Sequence, residues 1–106
     1  MNKLIIISRH HFTQKEFEKF NINYFIKENI STEIWVMNKL LKDKIIFSNM
    51  SSKKKFKIKN ITSINELENN IKAQQKYDTA YQVYLKFELK TMNIFRLITK
   101  YNCKYS

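Results

Sequence analysis

The chain has 106 residues, a formal net charge of +11, eight Phe, six Tyr and one Trp, and neither Gly nor Pro. Hydrophobic residues make up 43 %, which excludes a disordered composition and suffices for one modest core. No apolar run approaches the ~20 residues of a membrane span, and the single cysteine excludes an internal disulfide or a cysteine-built metal site.

Residues 3–8 predict a short buried strand. Leu4 to Ile7 are continuous and rich in β-branched side chains, as a parallel strand covered on both faces requires. Thr13-Gln-Lys-Glu16 matches the S/T-x-x-E capping box, and the following helix carries Phe17, Phe20, Tyr24 and Phe25 as a core-facing stripe. Asn29 is its expected stop, because Asn is the usual substitute for Gly in the left-handed position after a helix. Glu33 to Met37 predict the second strand, completing a parallel βαβ unit.

In residues 38–55, Leu40, Leu41 and Ile45-Ile46-Phe47 predict a short extra element over the sheet, followed by a polar, basic loop. Phe56 to Lys59 alternate with period two, as in a half-exposed strand. Ser63-Ile-Asn-Glu66 is a second capping box, opening a helix over 64–75 with Leu67 and Ile71 on one face. Residues 79–87 predict a strand with Tyr81, Val83, Leu85 and Phe87 on one side. A third helix over 91–101 has Thr91 as cap and Met92, Phe95, Leu97 and Ile98 apolar. The final "CKYS" opens one more strand.

This order predicts an α/β fold: an open, mainly parallel sheet with helices on both faces, Rossmann-like, in a single domain over residues 1–106. A fold with two mononucleotide-binding halves needs more residues. The alternatives are a small α/β domain and the front part of something longer. "MNKLIIIS" has four consecutive apolar residues where a signal peptide needs roughly 7–15, so the expected location is cytoplasmic.

The candidate ligand site is "SRHH". In open α/β sheets ligands sit beyond the carboxyl ends of the strands, where Ser8, Arg9, His10 and His11 fall. Helix-start amides near Phe12 to Lys15 would point at an anion there, with Thr13 framing the turn and Arg9 able to clamp a phosphate or carboxylate. The competing reading is a solvated polar turn. Without glycine, a side chain at every position keeps a pyrophosphate from close approach to the backbone, so no dinucleotide cofactor is expected. No metal is expected either, because adjacent histidines point apart and no partner ligands join them. No nucleophile elbow or paired carboxylates stand out, so no catalytic residue is assigned.

The positive charge is a weaker signal than its size suggests. Eighteen of the twenty basic residues are Lys, and Asn and Ile are abundant, a bias that A/T-rich codons produce unaided. Phosphate and base readers lean more on Arg. The best nucleic-acid candidate is Lys53, Lys54, Lys55, Lys57 and Lys59, interleaved with Phe56. The alternative is an edge strand whose lysines prevent edge-to-edge pairing.

Three segments together, "KLIIISRHHFT..EFEKFNINYFIKENISTEIW", "YQVYLKF" and "IFRLITKYNCKYS", carry a resemblance. The leading strand, the "YF-x-x-x-x-I" phrase before a strand with a central Trp, and the "FRLI-x-KY" helix resemble the N-terminal segment of bacterial capsule and surface-polysaccharide biosynthesis proteins. Asn29 stands where such proteins commonly have Gly. The resemblance implies a Rossmann-like half that precedes further sequence and contributes one wall of a nucleotide-sugar or polyprenyl-phosphate-linked sugar site. Ser8, Arg9 and His10 would meet the anion, with His11 and Thr13 beside them. It also implies that the catalytic half lies outside these residues and that the isolated chain has no activity of its own. Two other classes stay open: a small lysine-rich nucleic-acid-binding protein, and an interaction module whose sheet is completed by a partner strand at residues 103–106.

Overall fold

The computed structural model describes residues 2–9, 14–42 and 56–106. Five strands, β1 (Lys3–Ser8), β2 (Ser31–Val36), β3 (Phe56–Asn60), β4 (Thr79–Tyr84) and β5 (Lys104–Tyr105), form one open sheet in the order β3-β2-β1-β4-β5. Every pairing is parallel. Four helices, α1 (Gln14–Lys19), α2 (Ile22–Lys27), α3 (Ile64–Gln74) and α4 (Met92–Lys100), cover its two faces. This is the expected Rossmann-like α/β architecture.

Strand alternation divides the core into two layers. Leu4, Ile6, Ile34, Val36 and Phe56 bury one face against Phe17 of α1 and Ile22 of α2. Ile5, Ile7, Trp35, Met37 and Tyr81 bury the other against Leu67 and Ile71 of α3 and Ile94, Leu97 and Ile98 of α4. β1 is sealed on both sides, which explains its unbroken apolar run.

The first helix departs from the single capped helix expected. Asn21 adopts the left-handed conformation (φ 57°, ψ 41°) and splits the segment into α1 and α2. The break turns Ile22 into the core and Tyr24 out to 52 % exposure, so Tyr24 does not belong to the core stripe. Phe17 is buried and meets the Phe56 ring edge-on at 5.2 Å, while Phe20 stacks on Tyr84 at 4.5 Å. The cap at Thr13 and the extra element predicted around residues 45–47 lie outside the described residues.

The second capping box forms with one variation. Ser63 Oγ accepts from the Glu66 amide at 3.1 Å, but the Glu66 carboxylate reaches back to the Thr62 amide and hydroxyl. β2 begins two residues earlier than expected, and β4 ends at Tyr84 instead of continuing to Phe87. Its last pair with β1 is Ser8–Tyr84, and beyond it the buried Thr91 hydroxyl donates to the Lys86 carbonyl at 2.7 Å beside a 3₁₀ turn at Leu89–Thr91. Thr91 therefore organises the approach to α4 without capping it through its side chain. The last strand forms at Lys104–Tyr105, and Ser106 continues its pairing with Tyr81 and Val83.

A chain without glycine must make its left-handed turns from other residues. Among the described residues Asn21, Asn29, Lys42 and Asn102 have positive φ. Asn29 and Asn102 close α2 and α4 in the same way. The Ile30 amide donates to Phe25 and the Asn29 amide to Ile26, while the Cys103 amide donates to Ile98 and the Asn102 amide to Thr99. This is the Schellman pattern that glycine ordinarily serves, and Asn tolerates it because its short amide can bond locally. Asn29→Ala and Asn102→Ala should each lower stability by about 1 kcal/mol, with Gly at either position costing far less. Urea midpoints check this, and Ala variants as stable as the parent would show that these turns carry no conformational strain.

Candidate functional site

Strand order reverses between β1 and β4, so their carboxyl ends frame the crevice that open parallel sheets use for ligands. Ser8, the last residue of β1, lies in register with Val36 of β2 and Tyr84 of β4, and its carbonyl accepts the Met37 amide at 2.8 Å. Arg9 is the next residue. Its Nη1 donates to Glu88 Oε1 at 2.6 Å, spanning the gap to the segment that follows β4. The anion clamp expected of Arg9 thus has a carboxylate on it already.

Asn38 follows β2 on the same edge. It is 4 % exposed, and its Oδ1 has no hydrogen-bond partner among the described residues. A buried acceptor without a donor carries a desolvation cost that a bound donor would relieve. Neither Glu88 nor Asn38 stood out in the sequence. Glu88 is separated from Arg9 by 79 positions, and Asn38 was one of twelve asparagines. The only available hint was that Asn38 directly follows a strand in a parallel unit. His10, His11 and Thr13 lie outside the described residues.

The basic candidates separate. Lys53, Lys54 and Lys55 lie outside the described residues. Lys57 is exposed on β3, an outer strand of the described sheet. Lys59 points inward, its Nζ 3.2 Å from Glu33 Oε1 and 3.1 Å from Asn70 Oδ1 on α3.

Glu33 is the centre of a second polar cluster that sequence reasoning did not single out. It is buried in β2 on the α3 face, with Lys3 Nζ at 2.7 Å, Lys59 Nζ at 3.2 Å and the Trp35 indole N–H donating at 3.1 Å. Its detectable signal was parity, because Glu33 shares a strand face with Trp35 and Met37. Burial alone would raise its carboxyl pKa, but Lys3, Trp35 and Lys59 together outweigh that and hold it below the usual carboxylate range. The cluster ties three strands together and reaches α3 through Asn70. Nearby, burial pushes the Tyr81 hydroxyl and the Cys103 thiol upward, and the two bond to each other. Cys103 therefore stays a protonated, unreactive thiol at neutral pH. No group of three or more His, Cys, Asp or Glu among the described residues could hold a metal ion.

Comparison with family models, curated proteins and solved structures finds no match for this chain.

The Glu33 cluster gives a pH test. Its folded carboxyl binds a proton less readily than the unfolded one, so its contribution to stability is full above the ordinary carboxylate pKa of about 4.3. That contribution drains away as pH falls from there through the lower folded value. Glu33→Gln should cost about 2 kcal/mol at neutral pH by removing the charge that the partly buried Lys3 and Lys59 bond to, and should flatten the acid limb of the stability profile. A variant with the parent's acid dependence would remove Glu33 as its source.

Proposed function

We propose that this chain is a cytoplasmic α/β domain of surface-polysaccharide assembly, binding a nucleotide-sugar or another phosphate-linked sugar at the carboxyl edge between β1 and β4. The observation that carries this reading is the position of Arg9, directly beyond β1 at the point where strand order reverses. The resemblance to capsule and surface-polysaccharide biosynthesis proteins supports the sugar class.

The Arg9–Glu88 pair is compatible with such a ligand. Its side chains are 27 % and 35 % exposed, and a pair so accessible to water contributes about 0–1 kcal/mol. A phosphate carries more charge than a carboxylate and can take the guanidinium fork with two oxygens, where Glu88 is held through one. Recognition runs through side chains because no glycine lets a pyrophosphate lie against the backbone. The role in this reading is binding.

Titration of the ¹⁵N-labelled chain with a UDP-sugar should move the amides of Ser8, Arg9 and Glu88 together. Arg9→Gln should weaken binding about tenfold, the loss of roughly one charge-assisted bond. Glu88→Gln keeps an oxygen for the 3₁₀ turn but removes the competing charge, and should tighten binding a few-fold. Shifts that are scattered, or absent at millimolar ligand, would overturn the reading.

A further inference from the structure

The segment after β4 exposes two apolar side chains that the fold could have buried. Phe87 is 68 % exposed and Leu89 is 85 % exposed, the two largest values for large apolar residues among those described. Between them Glu88 turns inward, to Arg9 and to the Thr91 amide in a reciprocal capping box. Thr91 is buried, accepts from the Glu88 amide at 3.1 Å, and donates to the Lys86 carbonyl at 2.7 Å. Residues 86, 88 and 91 are thus fastened to the body. The residues between the fastened positions present Phe87 and Leu89 to solvent on a fixed turn.

The surroundings are basic. Lys86 and Lys90 are exposed on either side of the pair, and Arg96 is exposed on α4. Phe87 meets Phe95 at 5.2 Å and lines with Met92, Arg96, Thr99 and Lys100 a shallow apolar groove of about 460 Å³. Lys100 is shared with Glu68 of α3, and the turn's own acid, Glu88, is neutralised by Arg9. The face is therefore an apolar tip inside a cationic collar.

We propose that this tip docks onto an anionic lipid surface, with Phe87 and Leu89 entering the boundary between headgroups and acyl chains and the collar meeting lipid phosphates. Charge complementarity selects this occupant, since a basic rim around protruding aromatic and aliphatic side chains suits an anionic bilayer interface. A stable protein partner would need about 800 Å² of matched surface on each side, roughly 20–30 residues, and the tip with its six-residue groove does not furnish it. A fluid interface requires no such match. No helix among the described residues is long and apolar enough to cross a membrane, so the attachment is peripheral. The inference stands apart from the ligand reading, because neither Phe87 nor Leu89 contributes to that site.

Flotation with vesicles of phosphatidylcholine, with and without phosphatidylglycerol, tests it. The chain should float only with the anionic vesicles, and the double change Phe87→Ser and Leu89→Ser should weaken binding at least about tenfold with the melting temperature kept. A Leu89→Trp variant should shift its emission to the blue on those vesicles and be quenched by brominated acyl chains, against a constant signal from buried Trp35. Binding that survives the double change, or emission of the Leu89→Trp variant unmoved by vesicles, would reduce the interaction to surface charge and overturn insertion. Failure to float, even with capture of an acidic peptide instead, would overturn the lipid assignment.

Discussion

The fold depends on β1 being covered on every side. Leu4, Ile5, Ile6 and Ile7 alternate between the two faces, and all four are buried. β2 and β4 take up the strand's two hydrogen-bonding edges in parallel register. Burial of both faces requires helices above and below, which places α1 and α2 on one face and α3 and α4 on the other. Once β1 is flanked by β2 on one side and β4 on the other, the reversal in strand order sits at its carboxyl end. The location of the candidate crevice follows from the apolarity of four residues.

Polar groups are placed at the two ends of this sheet by different means. Glu33 is held within the packed layer, where Trp35 and two lysines supply enough donors to keep a buried carboxylate charged. It fastens β1, β2 and β3 to one another and, through Lys59 and Asn70, to α3. Arg9 and Glu88 meet at the rim with water beside them, and such a pair exchanges partners at little cost. Burial separates a structural ion cluster from an exchangeable one.

The sequence patterns that proved legible were those set by local periodicity. The unbroken "LIII", the alternation of Phe56 to Lys59 and the Ser63 capping box each depend on residues within one turn or one strand of each other. What local reading missed was decided at long range. Asn21 breaks a helix whose apolar spacing looked continuous, because a left-handed residue there lets Ile22 reach the core. Phe87 had the strand parity of Tyr81 and Val83, yet the strand stops at Tyr84, opposite the last residue of β1, and the Lys86 carbonyl goes to Thr91 instead. The partner of Arg9 lies 79 positions away and could not be read from spacing. The left-handed turn at Asn29 was recognisable because Asn is the natural substitute where glycine is absent. The matching turn at Asn102 follows the same chemistry.

Glu88 links the two features at the carboxyl edge. Its carboxylate neutralises Arg9 and also takes the Thr91 amide, while its own amide donates to Thr91 Oγ1. An anion that draws Arg9 away removes the first of these contacts only. The backbone bond to Thr91 and the Thr91 bond to Lys86 do not involve the guanidinium, so the turn that displays Phe87 and Leu89 keeps these bonds whatever Arg9 pairs with. The Arg9–Glu88 pair and the turn that displays the apolar tip therefore share a residue but rest on different bonds, which allows each to be altered by substitution without abolishing the other.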